Sequence, residues 1–153
     1  MIKEIELKNK YQLYIGGQWK DASDNATFKT FSPADGSLLA ECAEATREDV
    51  DEAVQAAWEA FASWKNTTVN DRAAVLNKIA DIIDENTEFL AAVESMDNGK
   101  PIREPMAVDI PLSAQHFRYF AGCIMAEEGS AHIPGKVPLS LIISEPIGLV
   151  GKT

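Results

Sequence analysis

Between Thr46 and Glu128 apolar residues recur every three or four positions, a spacing that commits more than half of the 153-residue chain to amphipathic helices. Thr46 followed by Asp49 has the form of a capping box. Glu48, Asp49, Asp51 and Glu52 crowd the first turns, where the helix dipole favours carboxylates. Val50, Ala53, Val54, Ala57, Trp58, Phe61 and Trp64 then mark one face, and on so continuous a stripe both indoles read as core residues rather than ligand-stacking ones. Asn70 is placed to cap a second helix that buries Ala73, Leu76, Ile79, Ala80 and Ile83. Asp81, Asp84 and Glu85 form its solvated side. A third helix starts near Thr87 and buries Phe89, Leu90, Val93 and Met96. It stops at Asp97-Asn98-Gly99-Lys100-Pro101, where glycine suits the cap and proline blocks continuation. From Ile102 to Glu128 the pattern is helical again, with Phe117, Phe120, Ala121, Ile124 and Met125 on the apolar face and a kink or restart predicted at Pro111.

Strand patterns flank this block. Tyr11–Ile15 and Gln18–Lys20 bracket Gly16-Gly17, the chemistry of a two-residue hairpin turn. Thr27–Phe31 alternates, meets the turn-forming Ser32-Pro-Ala-Asp-Gly36, and returns through Leu38–Ala43. Ile133–Pro138 reads as a punctuated link, His132 as a loop residue, and Leu139–Ser144 as an exposed strand. Ile147–Val150 has the composition of a buried strand, which needs neighbours on both sides. Nothing in the chain after Val150 supplies them, so the sequence is expected to be the front piece of a larger α/β protein.

Charge and composition narrow the function. A net charge of −10 argues against nucleic acid or an anionic membrane as partner, since both demand a basic face. No run approaches the ~18 apolar residues of a membrane span, and Met1–Lys10 lacks the apolar core of a signal peptide. Cys42 and Cys123 have no metal or disulfide spacing, so a reducing cytoplasm is the expected location. Neither cysteine has a histidine nearby in sequence to activate it. His116 has no nucleophile or carboxylate spaced to work with it and reads as a structural or surface residue.

Seven segments occur in a telling order. Tyr14-Ile-Gly-Gly-Gln-Trp19, Phe31-Ser-Pro-Ala-Asp-Gly36, Glu48-Asp-Val-Asp-Glu-Ala-Val54 and Ala60-Phe-Ala-Ser-Trp64 come first. Asp97-Asn-Gly-Lys-Pro101, Phe117-Arg-Tyr-Phe-Ala-Gly122 and Glu145-Pro-Ile-Gly-Leu-Val-Gly151 follow. Together they resemble the N-terminal portion of the aldehyde dehydrogenase superfamily, enzymes that oxidise aldehydes to carboxylic acids with NAD or NADP. The resemblance implies an α/β fold: the N-terminal part of a discontinuous Rossmann-like cofactor domain, with hairpins and about four helices over 1–138. It implies an oligomerisation strand over 139–146, carried by Ser140, Leu141, Ile142 and Ile143, and the start of a further cofactor-domain strand over 147–153. Asp97 with the backbone around Thr30 and Phe31 matches a monovalent-cation site of some members; the plainer role for Asp97 is to cap the turn at Asn98-Gly99. Leu112 falls on the helix lining the aldehyde tunnel, or else is a core leucine.

Family members continue into a Pro-Trp-Asn stretch whose Asn stabilises the oxyanion, then nucleotide-binding elements, a general-base Glu and a nucleophilic Cys. None of these motifs is present here, and neither Cys42 nor Cys123 has the nucleophile's context. Thiohemiacetal formation, oxyanion stabilisation, hydride transfer and thioester hydrolysis all depend on such groups. The isolated chain is therefore expected to lack both the cofactor site and dehydrogenase activity. Its expected partners are an aldehyde in the whole enzyme and either identical or full-length subunits; the alternative is an interaction fragment that pairs with full-length subunits.

Overall fold

Gly16 and Gly17 take φ of 59° and 83°, the left-handed pair that a tight hairpin turn requires. Around them β2 (Leu13–Ile15) and β3 (Gln18–Lys20) pair antiparallel, with Tyr14 opposite Trp19 and their ring centroids 4.8 Å apart. The computed structural model describes residues 5–133, 135 and 138–151. Just before the hairpin, β1 (Lys10–Tyr11) runs parallel to β5 (Leu38–Ala43), which pairs antiparallel with β4 (Thr27–Phe31) to give a sheet of order β1-β5-β4. The β4–β5 register shifts between Thr30 and Phe31, a bulge at the end of the strand.

The helical block forms as its periodicity predicts, with different ends. Helix α1 (Arg47–Trp64) has the Thr46/Asp49 capping box. Helix α2 (Val69–Glu85) is capped by Thr68, not Asn70: Thr68 and Asp71 form a second capping box, which satisfies two donors where Asn70 alone would satisfy one. Helix α3 (Thr87–Asn98) ends at Gly99, whose φ of 78° and N–H bond to the Ser95 carbonyl close the last turn. A Cβ on Gly99 would come within 2.9 Å of the Pro33 ring, so this cap must stay glycine to let α3 meet the β4–β5 turn. Pro105–Asp109 is a π-helical turn in which the Ile110 N–H reaches back to the Pro105 carbonyl. It runs straight into α4 (Ile110–Cys123). Pro111 falls in the first turn of α4, where its missing donor costs little, so the helix starts there instead of kinking. A 3-10 turn at Ile124–Ala126 ends the block.

Most of the buried apolar side chains are small. Among the described residues they are Ile15, Pro105 and nine alanines, four of which (Ala73, Ala80, Ala114, Ala121) belong to α2 and α4. Small side chains let these two helices approach closely, and Arg118 clamps them from outside through Asp81 and Asp84, each at 2.7 Å. The larger residues assigned to buried faces are mostly at the margin. Trp58 and Trp64 are not core residues but 50% and 46% exposed, and Phe89, Phe120 and Met125 are exposed as well. Periodicity groups them correctly by face within each helix; among the described residues no second layer covers the tryptophan face of α1.

The C-terminal region pairs β6 (Ser130–His132) antiparallel with β7 (Ser140–Ile142), so His132 is a strand residue opposite Ser140 and not a loop residue. The link between them was predicted at Ile133–Pro138, and its Pro134, Lys136 and Val137 lie outside the described residues, as do Met1–Glu4 and Lys152–Thr153. Residues 147–151 form no ladder, and Ile147 and Val150 are largely exposed. A buried strand cannot form without adjacent strands to take its N–H and C=O groups. The observed class is α/β, as predicted: short strands and two-stranded ribbons around four α-helices.

Candidate functional site

Asp97 is in the last turn of α3 and Thr30 is at the bulge of β4, and their side chains meet: the Thr30 hydroxyl donates to Asp97 Oδ1 at 3.0 Å. Sixty-seven residues separate the two in sequence. The pair opens on a small cavity of about 90 Å³ lined by Leu7, Tyr11, Leu39, Ala40, Cys42 and Val93 as well. Phe31, the third predicted site residue, follows the bulge and is half exposed. A carboxylate, a hydroxyl and the carbonyls at a helix C-terminus are hard oxygen donors, the set that suits an alkali or alkaline-earth cation. Asp97 and Thr30 offer two such donors, on a cavity otherwise lined mainly by apolar side chains. Asp97 itself accepts from Thr30, so its contact is not confined to the Asn98-Gly99 turn; there the Lys100 N–H bonds instead to the Asn98 side chain at 2.8 Å. Among the described residues no group of three or more His, Cys, Asp or Glu stands ready for a transition metal.

Lys100 lies just beyond, bound to Asp109 at 2.7 Å and near Glu94 at 3.5 Å. The hydrogen bond to Asp109 holds its ammonium above the usual lysine value. This contact ties the α3 cap to the π-helical turn that precedes Leu112. Such turns recur at functional sites because they re-aim the side chains that follow. Leu112 is 43% exposed, so it is not a core leucine in this chain. Periodicity missed this turn; a proline after the Lys100-Pro101 break was the one available signal.

The β5–α1 junction offers no cradle for a dinucleotide's phosphates. The strand-to-helix junction from β5 to α1 reads Glu44-Ala45-Thr46, with a carboxylate and no glycine where a phosphate cradle needs open backbone N–H groups. The first turn of α1 is also occupied: the Asp49 N–H donates to the Thr46 hydroxyl, and Asp49 accepts the Thr46 N–H at 2.9 Å and the Ser23 N–H at 3.2 Å. Asp49 is 2% exposed, and these bonds, that from Thr46 first, hold its carboxyl below the usual value of 3.8. His116 and His132 are exposed and Cys42 is half-buried; Cys123 is exposed beside the Tyr119 hydroxyl, whose value it raises, and among the described residues no histidine or carboxylate is bonded to either thiol. Among the described residues no nucleophile–base pair is assembled.

Of the predicted oligomerisation residues, Ser140, Leu141 and Ile142 form β7 and Ile143 follows it. Leu141, Ile142 and Ile143 are 65%, 65% and 70% exposed, and Ser140 pairs with His132. None of the described helices is long and apolar enough to cross a membrane.

The order of motifs and this geometry agree with the comparisons to known proteins. The family model described as the aldehyde dehydrogenase family matches residues 19–152. Aldehyde dehydrogenase B of Escherichia coli (strain K12) is 43% identical over 148 residues, which are 97% of this chain and 29% of that protein. An acetaldehyde dehydrogenase of Pseudomonas aeruginosa is 45% identical over the same length and shares. Among solved structures, P. syringae indole-3-acetaldehyde dehydrogenase in complex with NAD+ and IAA superposes with a TM-score of 0.87 at 33% identity, over 93% of this chain and 29% of that one. The chain thus spans about 29% of the length of the curated relatives it matches, with the N-terminal part of their fold, and it belongs to the aldehyde dehydrogenase family.

Proposed function

We propose that this chain is the N-terminal scaffold of an enzyme that oxidises an aldehyde to a carboxylic acid with NAD or NADP as hydride acceptor. The observation that carries the proposal is the family match across residues 19–152, supported by the structural likeness at 33% identity to an NAD+-bound relative. Residues 1–138 supply part of the cofactor domain, 139–146 the oligomerisation strand, and 147–153 a strand that forms once its neighbours are present. Asp97, Thr30 and the Phe31 backbone hold a monovalent cation that locks α3 against β4. Leu112, presented by the π-helical turn, borders the path of the aldehyde. The chain alone carries no catalytic group and no cofactor site.

The test uses purified chain and a chimera in which it replaces the matching segment of the E. coli relative. NADH production from acetaldehyde is expected from the chimera and not from the chain alone. Turnover by the chain, or an inactive but folded chimera, would overturn the proposal. A second reading, favoured by the exposure of Leu141–Ile143, is a fragment that pairs with full-length subunits through an uncovered strand edge. It predicts mixed oligomers with an intact relative, lost in Leu141→Lys.

A further inference from the structure

A cavity larger than the one at Asp97 shares Tyr11 with it and lies between the hairpin and the first turn of α3. Its volume, about 460 Å³, is in the range of small-molecule pockets. Its apolar lining is aromatic: Tyr11 from β1, Trp19 from β3 and Phe89 from α3. Trp19 is 65% exposed and Phe89 44%. Tyr14, opposite Trp19 on β2, packs against the indole with ring planes tilted by 51°. An indole braced in this way keeps its orientation before a ligand arrives, which lowers the entropic cost of stacking on it.

The charged groups sort into one spent pair and two that are open. Lys10 is held by Asp21 at 2.9 Å, and the Gln12 amide donates to the same carboxylate at 3.2 Å. Lys8 and Glu6 also line the cavity, and both are exposed. Among the described residues neither has an ion-pair partner. The Tyr11 hydroxyl accepts the Lys8 backbone N–H at 3.3 Å, which leaves its own proton to donate. One open ammonium, one open carboxylate and a braced aromatic wall complement a ligand that is itself aromatic and zwitterionic.

We propose that this cavity binds a free aromatic amino acid, with its ring against Trp19 and Phe89, its carboxylate at Lys8 and the Tyr11 hydroxyl, and its ammonium at Glu6. A nucleotide is the poorer occupant. Its phosphate brings about two negative charges, and these would meet one open cation beside Glu6. Binding here requires no aldehyde chemistry, so the site fails or holds apart from the proposed function.

The test titrates the purified chain with free phenylalanine and follows the indole N–H resonances. Trp19 is expected to shift saturably with a Kd of about 1 mM or tighter, while Trp58 and Trp64 stay in place. Three probes each lack one feature: hydrocinnamate the ammonium, phenethylamine the carboxylate, and leucine the ring. Each is expected to bind at least about threefold more weakly. Glu6→Gln should erase the preference over hydrocinnamate and Lys8→Ala the preference over phenethylamine, effects that a general disturbance of the fold would not divide in this way. No saturable shift of Trp19, leucine binding as tightly as phenylalanine, or variants that keep both preferences would overturn the proposal. Tighter binding of AMP than of phenylalanine would overturn it in favour of a nucleotide.

Discussion

Helices α1 and α2 are 18 and 17 residues long, both start with a Thr-x-x-Asp capping box and both carry an apolar stripe. Their fates differ. Helix α2 turns its stripe inward, with Ala73 and Ala80 pressed against the Ala114 and Ala121 face of α4 and Arg118 closing the outer edge. Helix α1 is held by its polar side, through the buried Asp49 carboxylate and the Lys20–Glu52 pair, and leaves its valines and tryptophans in water. Local cap chemistry is thus the same in both, and the presence of a partner layer makes the difference. The α2–α4 contact is closed; the apolar face of α1 is open among the described residues.

The sharpest way to break this contrast is to overfill the finished pair. Ala80 is fully buried, so Ala80→Leu forces added methylenes into a closed contact and is expected to cost about 1–3 kcal/mol. Urea unfolding followed by circular dichroism reads it, and an unchanged midpoint would mean that α2 and α4 do not close as described.

The polar latch of α1 comes next. Asp49→Asn keeps the shape but weakens the bonds from Thr46 and Ser23, and is expected to lower the melting temperature by about 5 °C. The pH dependence has a definite sign. Because the folded carboxyl value is depressed, its stabilisation is complete above the ordinary value of 3.8 and is lost as pH falls through the lower folded value. Wild type and Asp49→Asn should therefore differ at neutral pH and converge in acid. A difference that persists undiminished in strong acid would assign Asp49 a purely steric role.

Arg118→Met tests the outer clamp of the finished pair. Its partners are about half exposed, so the expected loss is small and shrinks further in molar salt. A loss insensitive to salt would show that the arginine stem, not its charge, holds α4 to α2.

What could be read in advance divides along the same line. The hairpin glycines and the Thr46 box announce themselves within four residues, because each motif satisfies its own donors locally. Asn70 misled because a second box, Thr68 with Asp71, begins two residues upstream. Strand β6 is only Ser-Ala-His, too short and polar to alternate visibly. The Thr30–Asp97 contact spans 67 positions, and only the family resemblance brought those residues together. Periodicity identified the α1 stripe but says which residues share a face, not whether anything lies over it.

The smallest expected effect is the most telling about α1. Val54→Ser removes an apolar side chain from the middle of a helix, a change that in a covered stripe would cost a few kcal/mol. Here Val54 is 44% exposed, serine and valine have similar helix propensity, and the hydroxyl stays in water. The expected change in the isolated chain is within about 0.5 kcal/mol. If the rest of the fold covers the stripe, the same substitution made in the chimera with the E. coli relative costs several times more. Equal costs in the two settings would mean that α1 keeps its exposed face whatever surrounds it, and that the likeness between α1 and α2 ends at their caps.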